Sequence, residues 1–192
     1  MPPPLRPLLA VSATLLVMSV GLFAYMSGPA RLISQPRGGT AVGYAMLDGC
    51  WTGYTAEDVD RRLAAWSADQ IATYRAVHLG PDMLFPWVYA GFFFVTAVLA
   101  FKCAVPARVL WPWLLILPLL NLAGDYAENY LISFVILPAR APCDPVTVGW
   151  ASRATCAKWA LVALNTLVLL VGVGFCVRTR LRERRGRDSN PR

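Results

Sequence analysis

Long apolar runs alternate with polar segments along the chain, and four of these runs are long enough to cross a bilayer. They cover residues 7–26, 83–101, 109–137 and 159–176. A membrane-spanning helix needs about 20 mostly apolar residues, and each run comes close to that length or exceeds it. Apolar and polar positions do not alternate with a period of two, so the runs predict helices and not strands. We therefore predict an all-α integral membrane four-helix bundle.

The segment between the first two runs has a different pattern. Glycine and proline are frequent in its first half, up to Tyr54, which is typical of irregular loop. Thr55 with Asp58, and Ser67 with Gln70, then have the spacing of two helix-capping boxes. Apolar side chains at helical spacing follow each box. They are Val59, Leu63 and Trp66 after the first, and Ile71, Tyr74 and His78 after the second. The pattern predicts a short extracytoplasmic helical pair that caps the bundle.

Composition supports a membrane protein. The chain has 192 residues, of which 57% are hydrophobic and only 15% are charged. So much apolar surface with so little charge does not suit a soluble domain of this length. The chain contains a single histidine, no phosphate-binding glycine loop, no CxxC and no HExxH motif. We therefore predict no metal and no cofactor.

The distribution of charge predicts the topology. Residues 1–26 carry a net charge of +1, the link at 102–108 carries +2, and the tail at 177–192 carries +5. In contrast, residues 27–82 carry −1 and residues 125–158 are neutral. Basic residues collect on the cytoplasmic side of membrane proteins. The pattern predicts a multi-pass protein of the cell (plasma or inner) membrane with both termini in the cytoplasm.

This topology divides the chain into four parts. Residues 1–26 form the cytoplasmic N-terminus and the first span, 27–82 the outer loop with its helical pair, 83–176 the other three spans, and 177–192 a basic cytoplasmic tail. We expect the tail to meet anionic membrane lipid, and not nucleic acid. A homo-oligomer or a membrane partner protein remains open. The first run also resembles a secretory signal, but it is longer than the usual core of about 7–15 apolar residues, which favours retention as a span.

Three cysteines, Cys50, Cys143 and Cys156, fall on the predicted outer side. An oxidising outer compartment permits one disulfide among them. The sequence does not choose among the three pairings. Cys143 with Cys156 is favoured because it closes the shortest loop, and free thiols buried as small apolar groups are the alternative.

The third apolar run carries the candidate chemistry. Asp125 follows Asn121 by four residues, and Glu128 and Asn129 follow Asp125 by three and four, so the four residues share one face of a helix. Intramembrane acids are expensive to bury and mark binding or proton-handling sites. The start of the second span should face them with Asp82 and Tyr89. We predict a polar outer-leaflet pocket built from Asp82, Tyr89, Asn121, Asp125, Glu128 and Asn129.

A structural role competes with this binding hypothesis. Buried acids nearly always have basic partners, and such pairs are no evidence of function. Arg75, His78 and Lys158 are the candidate partners. In that case the acids would clamp the outer helices onto the bundle. In the binding hypothesis they line a pocket for a cation, a proton or a polar headgroup.

Two motifs carry a resemblance to a known group of proteins. Residues 82–89 read D-x-x-F-P-x-x-Y, and residues 125–129 read D-x-x-E-N. With flanking residues from 53 to 136, they resemble a family of small prokaryotic four-span membrane proteins without an assigned activity. The resemblance implies four spans and an outer helical pair, and it transfers no mechanism. A looser similarity is to the sterol-isomerase-like (EXPERA) family, which also buries acids in a small helical bundle.

The functional hypothesis from the sequence is a non-enzymatic membrane protein with a polar outer pocket and an accessory or assembly-related role. A small ion- or proton-coupled carrier is the first alternative. A lipid-acting enzyme that uses Asp125 or Glu128 as general acid or base is the second. No nucleophile or metal-ligand set accompanies these acids, so no catalytic residue is assigned.

The topology predicts how two single-cysteine variants react with a membrane-impermeant maleimide. A variant that keeps only Cys50 should react in intact cells, because this residue follows the first span on the outer side. A variant that keeps only Cys103 should react only after lysis, because it lies in the basic inner link. Labelling is measured by gel shift, and the reverse pattern would invert the topology.

Overall fold

The computed structural model describes residues 5–33, 46–101, 107–139 and 142–188, and this part of the chain is helical without a strand. The all-α prediction is therefore confirmed for the described residues. The helices in chain order are α1 (Leu5–Ile33), α2 (Ala56–Ala65), α3 (Ala68–Leu79), α4 (Pro81–Phe101), α5 (Ala107–Tyr130) and α6 (Pro145–Asp188). A 3₁₀ turn, Leu47–Gly49, precedes α2, and α5 continues into a π-helical turn at Leu131–Ile136.

Three helical stretches of the described chain are long and apolar enough to cross a membrane: Arg6–Ala30, Ala68–Phe101 and Pro145–Thr179. Few residues in the most apolar parts of two stretches are buried by the rest of the protein. The buried share is 6% in the first stretch and 11% in the third. In a soluble protein such helices would bury their apolar faces in a core. These two stretches instead present apolar side chains outward, which is compatible with a membrane protein.

Helix α4 lies at the centre of the bundle and packs against α1, α5 and α6. Helices α5 and α6 also pack extensively on one another. Helix α1 packs extensively only on α4 and α3 among the described elements. The hydroxyls of Ser12 on α1 and Thr96 on α4 lie 2.7 Å apart and fix the register of this pair. Toward its C-terminal end, α4 approaches α6 closely at Gly172, where Ala100 and Phe101 lie against the glycine.

The helical pair α2–α3 forms as the sequence predicts. The Thr55 hydroxyl accepts a hydrogen bond from the backbone N–H of Asp58, and the Asp58 side chain accepts one from the backbone N–H of Thr55. Ser67 and Gln70 make the same reciprocal pair at the start of α3. The hydrogen bonds from Thr55 lower the pKa of the Asp58 carboxyl. Both capping boxes are confirmed, and they explain why the chain changes from loop to helix at these positions.

A small apolar core joins the helical pair to the rest of the protein. Its buried side chains come from the 3₁₀ turn, α2, α3, the π-helical turn, the start of α6 and the residues that flank these elements: Leu47, Tyr54, Val59, Trp66, Tyr74, Ile132, Ile136, Leu137, Cys143, Val148 and Ala151. Two polar contacts reinforce it. Asp60 accepts a hydrogen bond from the Cys143 backbone, and Ser152 accepts one from the Tyr54 backbone. The pair is thus a cap on the bundle and not a separate domain.

Two helices extend beyond the apolar runs that predict the spans. The first helix does not end at Met26 but continues to Ile33. The last helix begins at Pro145 and not near Trp159. Its start is capped by Asp144, which accepts hydrogen bonds from the backbone and hydroxyl of Thr147. An aspartate cap followed by proline in the first turn is a helix-start signal that hydropathy does not detect.

This early start of α6 excludes the favoured disulfide. Cys156 lies three turns into the helix, about 16 Å of helical rise beyond Pro145, and bonded cysteines need Cα atoms within about 7 Å. No disulfide bond involves Cys143, Cys156 or Cys50 in the structure. Burial raises the pKa of the Cys143 thiol to about 11, so it stays protonated at neutral pH. The predicted inner Cys103 and the end of the basic tail at 189–192 lie outside the described residues.

The close approach of α4 and α6 predicts opposite results at two neighbouring glycines. A Cβ atom on Gly172 would lie 2.9 Å from the Ala100 Cβ, whereas one on Gly174 would meet no atom within 4 Å. Gly172→Ala should lower the free energy of unfolding by about 1–3 kcal/mol through overpacking. Gly174→Ala should be neutral or slightly stabilising. Melting temperatures in mild detergent test this, and equal values for the two variants would contradict the helix packing.

Candidate functional site

A buried ion-pair cluster joins α5 to α6. Asp125 and Glu128 lie one turn apart on α5, and Lys158 of α6 lies between them. The Lys158 Nζ atom is 3.4 Å from Asp125 Oδ1 and contacts Glu128 Oε2 as well. All three residues are buried. Of the three basic partners that the sequence offers, Lys158 is the one that pairs with these acids.

Two hydroxyl groups donate hydrogen bonds to the remaining carboxylate oxygens. Tyr89 of α4 donates a hydrogen bond to Asp125 Oδ2, and Thr155 of α6 donates one to Glu128 Oε1. Asp125 and Glu128 therefore use both of their oxygens within the protein. This cluster connects α4, α5 and α6 through side chains alone, which fixes the relative register of the three helices.

A second cluster lies beside it, around the single histidine. His78 Nδ1 is 2.8 Å from Asp82 Oδ2 and donates to it, since a carboxylate only accepts. On the other side of the ring, Nε2 lies 4.0 Å from Asp48 Oδ1 and has no hydrogen-bond partner. The imidazole is fully buried. One histidine thus stands between two carboxylates, and one of its nitrogens is unsatisfied.

The backbone around Asp48 is held in place by two aromatic side chains. The Tyr74 hydroxyl donates to Asp48 Oδ1 at 2.8 Å and accepts from the Leu47 backbone N–H at 2.9 Å. The Trp159 indole donates to the Asp48 carbonyl oxygen at 2.9 Å. These contacts place Asp48 over the two clusters. In the sequence, Asp48 lies 30 residues before His78 of α3 and 34 before Asp82 of α4.

A cavity of about 450 Å³ opens between α1 and α6, with α4 as its back wall. Its apolar walls include Phe23 of α1, Phe92 of α4 and Val162 of α6. Its polar end brings together side chains from five elements: Asp48, His78, Asp82, Tyr89, Asp125 and Lys158. Phe23 lines the cavity yet stays 62% exposed, so the space is open at its side toward the surroundings of the bundle.

The structure separates the six predicted pocket residues into two groups. Asp82, Tyr89 and Asp125 line the cavity. Glu128 lies behind it against Lys158, and Asn129 donates a long hydrogen bond of 3.4 Å to the Asp82 carbonyl oxygen. Asn121 is fully buried, does not line the cavity, and has no partner for either atom of its amide.

Two features of the site were not predicted from the sequence. Asp48 lies in a segment whose glycine-rich surroundings indicate only loop, and no periodic pattern links it to the acids. The wall contributed by α1 is also new, because hydropathy shows that α1 is apolar but not which helix it packs against. Arg75, one of the proposed partners of the acids, instead lies over the Phe134 ring, 5.5 Å from its centre.

The arrangement suits a molecule that has both a polar and an apolar part. Carboxylate oxygens, an imidazole and an ammonium group at one end make hydrogen bonds and ion pairs, while phenylalanine and valine side chains at the other bury hydrocarbon. The described residues contain no group of three histidine, cysteine or acidic side chains placed to hold a metal ion. The side chains that line the cavity offer charge, hydrogen bonds and apolar contact to a ligand.

Comparison with known proteins gives no relative from which a role can be transferred: no protein-family model, no curated protein and no solved structure matches the chain.

The ion-pair cluster predicts a large loss of stability when Lys158 is replaced by methionine. The substitution keeps the volume but leaves Asp125 and Glu128 buried without a counter-charge, and breaking a buried pair costs about 3–5 kcal/mol. Arg153→Met is the matched control, since Arg153 is exposed on the same helix above the Trp150 ring. Its effect should stay within about 0.5 kcal/mol.

Thermal unfolding in mild detergent measures both variants. Glu128→Gln should lower the melting temperature less than Lys158→Met, because Asp125 keeps its partner. A Lys158→Met protein as stable as the wild type would mean that the cluster does not hold α5 and α6 together.

Proposed function

We propose that the protein is a multi-pass integral membrane protein with four spans and both termini in the cytoplasm, and that its outer pocket binds an amphiphile. The headgroup lies at the polar end of the cavity and the hydrocarbon chain lies between α1 and α6. The proposed activity is binding, without chemical conversion of the ligand. The likeness to the small four-span family belongs to the same proposal, with α5 as the span that holds the acids.

The apolar surface of the helices supports a lipid environment. On α1, Val17, Val20 and Tyr25 are more than half exposed, and on α6 so are Leu167 and Leu170. Large exposed apolar surfaces of this kind mark contact with a membrane or with another protein. The acids of α5 are covered by α4 and α6 and do not face outward, as is usual for ionisable groups within a membrane protein.

The cavity itself is the observation that carries the binding proposal. An apolar space of this size with a few convergent polar groups at one end is the usual form of a small-molecule site. It opens sideways between two helices that do not pack extensively on one another. A ligand already dissolved in the bilayer therefore reaches it without crossing the cap.

The two alternatives have less support. A carrier needs polar groups on both sides of its binding site, but the described side chains of α5 from 114 to 120 are all apolar. A lipid-acting enzyme needs an acid or base that is free to react. Both oxygens of Asp125 and Glu128 are already engaged by Lys158, Tyr89 or Thr155.

A tryptophan placed inside the cavity should displace the ligand. Val162→Trp adds an indole to the apolar wall, whereas Leu164→Trp adds the same group two residues later at a 41% exposed position outside the cavity. Native mass spectrometry of protein released from mild detergent measures the amphiphile that remains bound. We expect retention by the wild type and by Leu164→Trp, and loss of most of it in Val162→Trp. Equal retention by the two variants would place the ligand elsewhere, and no retained amphiphile in the wild type would contradict the proposal.

A further inference from the structure

The polar end of the cavity has more acidic than basic groups. Asp48, Asp82 and Asp125 line it, and Glu128 lies directly behind. Two basic groups contact these four carboxylates in the described structure, Lys158 and His78. With all four carboxylates ionised, the site keeps a net negative charge even when the histidine is protonated. Unpaired carboxylates are costly to keep away from water, so the site is short of positive charge.

The deficit of positive charge lies on the His78 side of the cavity. Lys158 forms ion pairs with Asp125 and Glu128, and both of these acids also accept hydrogen bonds from hydroxyl groups. Asp48 and Asp82 share the imidazole as their one basic partner, and Asp48 also accepts a hydrogen bond from the Tyr74 hydroxyl. A ligand that supplies positive charge is therefore needed at Asp48 and His78, and not at Lys158.

The geometry at that position fits a nitrogen donor. His78 Nε2 and Asp48 Oδ1 are two acceptors 4.0 Å apart when the imidazole donates through Nδ1. One ammonium group can lie about 2.8–3.0 Å from both acceptors at once. The Nε2 atom is buried and without a hydrogen-bond partner, so it gains a bond that the protein alone does not provide.

The surroundings favour an organic ammonium group over a metal ion. Among the described residues, no three histidine, cysteine or acidic side chains are grouped so that they could hold a metal ion. Aromatic rings of Phe85, Tyr89 and Trp159 also line the cavity. The faces of such rings attract ammonium groups. The apolar wall then takes the hydrocarbon to which the nitrogen is attached.

We propose that the pocket selects an amphiphile with a cationic amine head, which bridges Asp48 and His78 while its hydrocarbon lies against α1, α4 and α6. This inference rests on the proposed function, since it assigns the ligand class of the same pocket. It excludes fatty acids and favours long-chain amines over alcohols of the same length.

Three matched probes test the selectivity on the full chain. Dodecylammonium, dodecanol and dodecanoate share a hydrocarbon chain and differ in the charge of the head. Their dissociation constants are measured by isothermal titration calorimetry in a neutral maltoside detergent. We expect dodecylammonium to bind at least about tenfold more tightly than dodecanol, a difference typical of one ion pair in a partly buried site, and dodecanoate to bind most weakly.

Asp48→Asn then tests the position of the head. The asparagine keeps an oxygen that accepts from Tyr74 but removes the charge. The dissociation constant for dodecylammonium should rise about tenfold and that for dodecanol should not change. Asp69→Asn is the control, because Asp69 is exposed in the first turn of α3 and does not line the cavity. The comparison of the three probes uses only the wild-type protein. It therefore tests the charge selectivity even if Asp48→Asn folds poorly.

Each outcome distinguishes the two proposals. If all three probes bind equally and Val162→Trp blocks them all, the pocket binds amphiphiles but does not select a cation. If magnesium chloride displaces dodecylammonium at equal ionic strength where sodium chloride does not, the site takes an inorganic cation and the ammonium proposal is wrong. If no probe binds, both proposals fail.

Discussion

The contact of Lys158 with Asp125 and Glu128 is the interaction on which the rest of the structure depends. It places one positive charge of α6 between two negative charges of α5, and all three groups are buried. Charges removed from water are tolerated only when they have close partners, so a slide of either helix by one residue would leave a carboxylate unpaired. Apolar contacts between the two helices depend less on the register than these ion pairs do. Tyr89 extends the same constraint to α4 through its hydrogen bond to Asp125.

The cap depends on this arrangement through the N-terminal part of α6. Thr155 binds Glu128, and one turn earlier Ser152 accepts from the Tyr54 backbone. From Tyr54 the chain enters α2 and α3, whose Tyr74 positions Asp48 over the cavity. Gly53, with a φ of +88°, lies against the Ser152 side chain and permits this close passage of the loop over α6. The polar end of the cavity is thus formed by residues that are distant in sequence but held by hydrogen bonds between different elements.

The cavity exists because α1 is held differently from the other long helices. It packs on α4 and α3, where Ser12 meets Thr96, and leaves a space between itself and α6. The result is a site with a rigid polar end and an open apolar side. Such a shape agrees with a ligand that comes from the bilayer, and the excess of carboxylates at the polar end agrees with a positively charged head.

The sequence by itself determined the helical class, the two capping boxes and the face of α5 that carries the acids. These features depend on neighbouring residues, since the three- and four-residue spacing of a helix and the hydrogen bonds of a cap are local. Among the candidate partners the sequence included Lys158, but it did not favour Lys158 over Arg75, because both basic residues shortly precede a predicted span. Only the tertiary structure decided that choice, excluded a bond between Cys143 and Cys156, and brought Asp48 and α1 to the cavity. These outcomes depend on which helices pack together and at what register, and contacts between residues far apart in the chain leave no periodic pattern in one sequence.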